Sequence, residues 1–143
     1  MNGQGAETSA DLLFEAPRLS AYLWVALGGA LGASGRFALA TFALSRTGAA
    51  LWGTLSANLL GCVALGWVAA WAERSGLGSQ APARLFWAVG VLGAFTTFST
   101  FSLEAWDLAR RDSWGASALY VGASVGLGLL AVWLGRSWGL RGA

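Results

Sequence analysis

Four long apolar stretches, each followed by a short polar break, run through this chain at about 19–45, 51–71, 85–108 and 114–134. Each is long enough to cross a hydrocarbon core about 30 Å thick, which takes about 20 apolar residues in helical form. A segment in lipid must satisfy its own backbone, so the stretches are predicted as four transmembrane helices of an all-α integral membrane protein. The breaks at 46–48, 73–84 and 110–112 are short, and successive helices are therefore expected to run antiparallel in one bundle. At 143 residues the chain has no room for a soluble domain beside four crossings. A charged fraction of 11% agrees, far below the roughly 25% of soluble domains.

Residues 1–17 form a polar N-terminal extension, expected to be partly helical from Asp11, and residues 18–143 form the membrane domain. Glu7, Asp11 and Glu15 stand where a secretory signal would carry basic residues. The chain has no histidine and a single cysteine, Cys62. That inventory excludes a His/Cys metal cluster, a Ser-His-Asp triad and an intramolecular disulfide, so no enzyme built on those groups is expected. The nine basic residues are all arginines, scattered singly apart from Arg110 and Arg111, and form no nucleic-acid patch.

Trp24, Trp52, Trp71, Trp87, Trp106, Trp114, Trp133 and Trp138 lie near span ends, where an aromatic belt places tryptophan. Gly28/Gly32 and Gly122/Gly126 are GxxxG pairs, which let helix backbones approach closely in lipid. Arg18, Arg74, Arg84, Arg136 and Arg141 fall on one side of the bundle, and Arg46, Arg110 and Arg111 on the other. This is a poor positive-inside bias. Insertion in both orientations accounts for it, as does noise in so few charges.

Polar groups at membrane depth are costly and point to function by default. Arg36 lies in the first span, Asn58 in the second, Glu104 and Asp107 late in the third, and Tyr120 and Ser124 in the fourth. Arg36 has a second reading as a snorkelling side chain, and the two carboxylates have one as markers of the water interface. Asn58 has one as interhelical glue. Thr54 stands four residues before Asn58, and Tyr120 and Ser124 repeat that spacing, so two helices carry polar stripes that favour a lined pathway.

In the third span Thr96, Thr97, Ser99, Thr100 and Ser102 crowd together, with Phe95, Phe98 and Phe101 at every third position. Such hydroxyls compete for backbone hydrogen bonds, and an unwound break at mid-membrane is expected there. Exposed helix ends at such breaks hold ions in transport proteins. Phe98 and Phe101 share a face if the helix resumes, and the positive edge of an aromatic ring accepts an anion. Core packing is the plainer reading of the pair.

The segments beginning at Gly28 (GGALGASGRF), Gly53 (GTLSANLLG) and Gly93 (GAFTTFSTFS) together resemble the Fluc (CrcB) family of fluoride channels, over about residues 20–137. The resemblance implies an antiparallel, dual-topology homodimer in the bacterial inner membrane, with two pores that let fluoride leave the cell passively. It implies that Asn58 donates its amide to fluoride and that Phe98 and Phe101 meet the ion with their ring edges. Thr54, Ser99 and Glu104 match further polar positions of the path, Tyr120 and Ser124 its fourth-helix track, and Arg36 the vestibule arginine. Gly93 and Thr96 match the break whose carbonyls hold a structural sodium ion at the dimer centre. The hydroxyl track is shorter here, because Gly128 stands one turn beyond Ser124.

A small dual-topology, proton-coupled multidrug exporter is the rival reading, since it too has four helices and little charge bias. It needs a carboxylate deep in the membrane. The first two spans hold none before Glu73, and Glu104 comes late in the third.

Overall fold

A computed structural model describes residues 18–111 and 113–141, and every regular element in them is helical. The expected polar extension over 1–17 lies outside the described residues. The helices are α1 (Leu19–Thr47), α2 (Leu51–Arg74), α3 (82–95), α4 (Phe98–Arg111) and α5 (Trp114–Arg141). Since α3 and α4 share one apolar run, Pro82–Arg111, there are four spans long and apolar enough to cross a membrane. This is a multi-pass membrane protein.

Turn chemistry sets the helix ends. Gly48, with φ 72°, closes α1 by donating its N–H to the Leu44 carbonyl at 2.9 Å, a left-handed cap that glycine adopts without cost. Pro82 starts α3 in the first turn, where its missing N–H is not needed.

All four spans outrun the apolar stretches that announce them, ending at Thr47, Arg74, Arg111 and Arg141. Hydropathy marks only the part that sits in hydrocarbon, whereas backbone hydrogen bonding carries the helix on into the polar interface. There Arg136 pairs with Glu73 at 2.5 Å, and Arg74 donates to the Gly139 carbonyl at 2.5 Å, so α2 and α5 are tied at their ends.

The spans pack as two parallel pairs. A Cβ on Gly28 would overlap the Phe86 carbonyl, and one on Gly32 would overlap the Val91 carbonyl, which sets α1 against α3. Likewise a Cβ on Gly135 would overlap the Val63 carbonyl, and one on Gly139 would lie 3.0 Å from the Trp67 carbonyl, which sets α5 against α2. Partner numbers rise together in both pairs, so spans one and three run the same way, as do spans two and four. The fully buried positions are small, Ala57 and Ala70 at 0% exposure, because lipid supplies no hydrophobic drive between helices and close backbone contact takes its place.

Of the two GxxxG pairs, only Gly28/Gly32 meets a neighbour. A Cβ on Gly122 or Gly126 would find nothing within 4 Å among the described residues.

Two features of the third span bear on the site, and the sequence carries no signal for the first. Leu85–Leu92 is wound as a wide π-helix, and the Gly93 N–H reaches back to the Ala88 carbonyl. After Gly93–Phe95 the helix stops; Thr96 is extended (φ −87°, ψ 156°), and α4 begins at Phe98.

Candidate functional site

The interruption between Phe95 and Phe98 needs partners for the backbone groups it releases. Asn58 on α2 supplies two: its Oδ1 accepts the Thr97 N–H at 2.8 Å, and its Nδ2 donates to the Thr97 carbonyl at 3.1 Å. Thr97 then caps α4, its Oγ1 accepting the Thr100 N–H at 3.2 Å. In an unbroken helix the Thr97 and Thr100 amides would bond the carbonyls of Gly93 and Thr96. Both amides are turned elsewhere, and the Gly93 and Thr96 carbonyls lose those partners. The Ala94 carbonyl is met at 3.2 Å by Arg36 Nε from α1. Gly61 makes room for this turn, since a Cβ there would overlap the Thr96 methyl.

Beside the turn lies an open groove of about 370 Å³, lined by Asn58, Thr97, Phe98, Phe101 and Ser124 among others. The two phenylalanine rings lie 5.9 Å apart with their planes at 46°, yet their surroundings differ. Phe98 is 80% exposed, while Phe101 is 9% exposed and packs with Ala105 and Tyr120. The Ser124 hydroxyl is buried and has no hydrogen-bond partner among the described residues.

One turn along α4 from Phe101, the Glu104 carboxylate joins three helices. Its Oε1 accepts the Thr54 hydroxyl at 2.8 Å, and its Oε2 accepts the Tyr120 hydroxyl at 2.8 Å. Ser117 strengthens the same joint, donating to the Ala105 carbonyl at 2.7 Å. A second opening of about 200 Å³ follows, lined by Glu104, Asp107 and Arg111. Phe98 and Phe101 line the groove and Glu104 and Asp107 the opening, in steps of three residues that wind gradually round α4.

The structure thus brings Asn58, Phe98, Phe101 and Ser124 together at the groove, and Thr54, Glu104 and Tyr120 at the carboxylate. Arg36 stands at the interruption with Gly93, Ala94 and Thr96. Ser99 is exposed, its hydroxyl 3.3 Å from Thr97 Oγ1 and outside the groove lining. Sequence reasoning assigned no role to Thr97, Ser117 or Cys62. Thr97 carried a readable signal, a threonine just before a helical run, which is the ordinary cap residue.

Four apolar spans, with polar and aromatic groups gathered beside an interrupted helix, define the class: a small multi-pass membrane protein. The family described as "CrcB-like protein, Camphor Resistance (CrcB)" matches residues 23–136. Curated relatives agree. The "Fluoride-specific ion channel FluC" of Opitutus terrae is 44% identical over 120 residues, 82% of this chain and 91% of the relative. Proteins of the same name from Acidobacterium capsulatum and Ruegeria sp. are 41% and 46% identical, over 84% and 78% of this chain and 96% and 87% of theirs. The chain belongs to the CrcB family, whose members act as channels and not as enzymes.

Proposed function

We propose that this protein is a fluoride-selective channel that lets fluoride leave the cell passively across a bacterial inner membrane. The observation that carries the reading is the groove in which Asn58, Phe98, Phe101 and Ser124 converge beside the interrupted span. The printed names of the relatives support the choice of ion.

Fluoride is small and tightly hydrated, so a path through low dielectric must return many donors for the water removed, each weak enough to let go. Asn58 spends one amide hydrogen on Thr97 and keeps a second for an ion. Ser124 has an unspent hydroxyl, and the ring edges of Phe98 and Phe101 add positive potential. Further along, an arriving anion competes with Glu104 for the hydroxyls of Thr54 and Tyr120. Ser99 adds a hydroxyl where α4 starts, and Arg36, on the Ala94 carbonyl at the interruption, adds positive charge there.

The working unit in this reading is an antiparallel, dual-topology homodimer with two pores. The exposed Phe98 and the unmatched Gly122/Gly126 face support it, since a second copy would close a groove that one chain leaves open. The interruption then lies at mid-membrane. A structural sodium ion fits there, because the carbonyls of Gly93 and Thr96 have lost their helix partners and oxygen donors suit a hard cation. Its charge would offset the cost of anions at the bilayer midplane.

The test is efflux from liposomes holding purified protein, read with a fluoride electrode and compared with chloride. Fluoride flux well above chloride flux is expected. Absent fluoride flux, or equal flux of both ions, overturns the reading.

A further inference from the structure

Two stripes line up across α2 and α5. Thr54, Asn58 and Cys62 follow one another at four-residue steps on α2, and Tyr120, Ser124 and Gly128 do so on α5. The first rungs, Thr54 and Tyr120, share Glu104. Asn58 and Ser124, the second rungs, both line the groove. So do the third, Cys62 and Gly128.

At this third rung α5 has no side chain to offer. A Cβ on Gly128 would lie 3.8 Å from Cys62 Sγ, so the half-buried thiol occupies the space next to the glycine. One turn away, the buried Ser124 hydroxyl has no hydrogen-bond partner among the described residues. A buried polar group without a partner is costly, and in a groove that opens outward it marks a place for a ligand, an ion or water.

We propose that the Cys62 thiol is the third rung of the ion path, the donor next in line after Ser124. This rests on the groove being the fluoride path. A thiol is a weaker donor than a hydroxyl. It therefore holds a stripped fluoride less tightly, which favours release over trapping. Cys62→Ser strengthens the rung, Cys62→Ala removes it, and Gly128→Ser presents a hydroxyl from the facing helix at an ordinary contact distance.

The experiment reconstitutes the wild type, Cys62→Ala, Cys62→Ser, Gly128→Ser and Cys62→Ala/Gly128→Ser in liposomes, and measures fluoride and chloride efflux. Cys62→Ala is expected to lower fluoride flux about three- to tenfold, the scale of one hydrogen-bond donor. Cys62→Ser and the double variant should both return to within about twofold of the wild type on the same scale. Complete labelling of the wild type with 2-aminoethyl methanethiosulfonate should block flux and leave Cys62→Ser unaffected. Should Cys62→Ala fail to fold, labelling of the wild type decides.

Wild-type conduction with an unchanged Cys62→Ala, or a loss that neither serine restores, overturns the proposal and leaves Cys62 a packing residue. Unchanged flux after complete labelling also overturns it. A wild type that passes no fluoride removes the channel reading itself, an outcome separate from these.

Discussion

Asn58 and Thr97 are joined twice, the amide oxygen taking the threonine N–H at 2.8 Å and the amide nitrogen giving to its carbonyl at 3.1 Å. A single side chain on α2 thereby replaces the backbone bond that the Thr97 N–H forgoes and adds a bond to its carbonyl.

Asn58→Leu leaves the Thr97 N–H without its partner, worth about 1–3 kcal/mol when buried. Fluoride flux is expected to vanish and the thermal midpoint to fall, read by circular dichroism in detergent. Asn58→Asp keeps the acceptor and loses the donor, so a smaller fall in midpoint with flux still lost separates the structural share from the conducting share. Equal midpoints for all three proteins would show that the double bond to Thr97 carries no weight.

Glu104 holds Thr54 and Tyr120 through separate oxygens. Glu104→Gln retains one acceptor and should cost about 1–3 kcal/mol, the scale of a hydrogen bond to a charged group. Thr54→Val and Tyr120→Phe, alone and together with Glu104→Gln, form a double-mutant cycle in which coupling of about 0.5–3 kcal/mol is expected. Strict additivity in thermal unfolding would mean that the three side chains act apart.

The phenylalanines differ in burial, and their variants should differ in kind. Phe98→Ile and Phe101→Ile are both expected to cut fluoride flux sharply. Phe101→Ala should in addition cost stability, up to the roughly 3–5 kcal/mol of a buried phenylalanine, whereas Phe98→Ala should leave the midpoint near that of the wild type. Unchanged flux in both isoleucine variants refutes a role for the ring edges.

Gly32→Leu drives a side chain into the Val91 carbonyl and should prevent α1 from docking on α3, giving protein that aggregates on size-exclusion chromatography. Gly122→Leu with Gly126→Leu starts from positions where a Cβ meets nothing within 4 Å among the described residues. Light scattering should find that pair folded and shifted from dimer to monomer. A dimer that persists would place the interface elsewhere.

Sodium at the released carbonyls of Gly93 and Thr96 would bind only the folded protein, and ligand linkage then raises the thermal midpoint with its concentration. At equal ionic strength, sodium chloride should stabilise the protein more than N-methylglucamine chloride and support more flux. Identical midpoints in both salts would remove the ion from the structure.

Hydropathy made the four spans legible because a bilayer imposes one simple rule on length and polarity, which each span obeys locally. The same rule exposed Asn58, Glu104, Tyr120 and Ser124, since a polar group stands out in an apolar run. Motif order made the family legible. What those groups bond to was not: Asn58 finds Thr97 39 positions away, and Thr54 finds Glu104 50 positions away. Such pairings depend on how far each helix slides and turns against its neighbour. Backbone contacts at Gly28, Gly32, Gly135 and Gly139 set that offset, and a glycine in a sequence does not say which carbonyl it will meet. Gly122 and Gly126 read the same as Gly28 and Gly32, and only the packed structure tells the filled pair from the empty one.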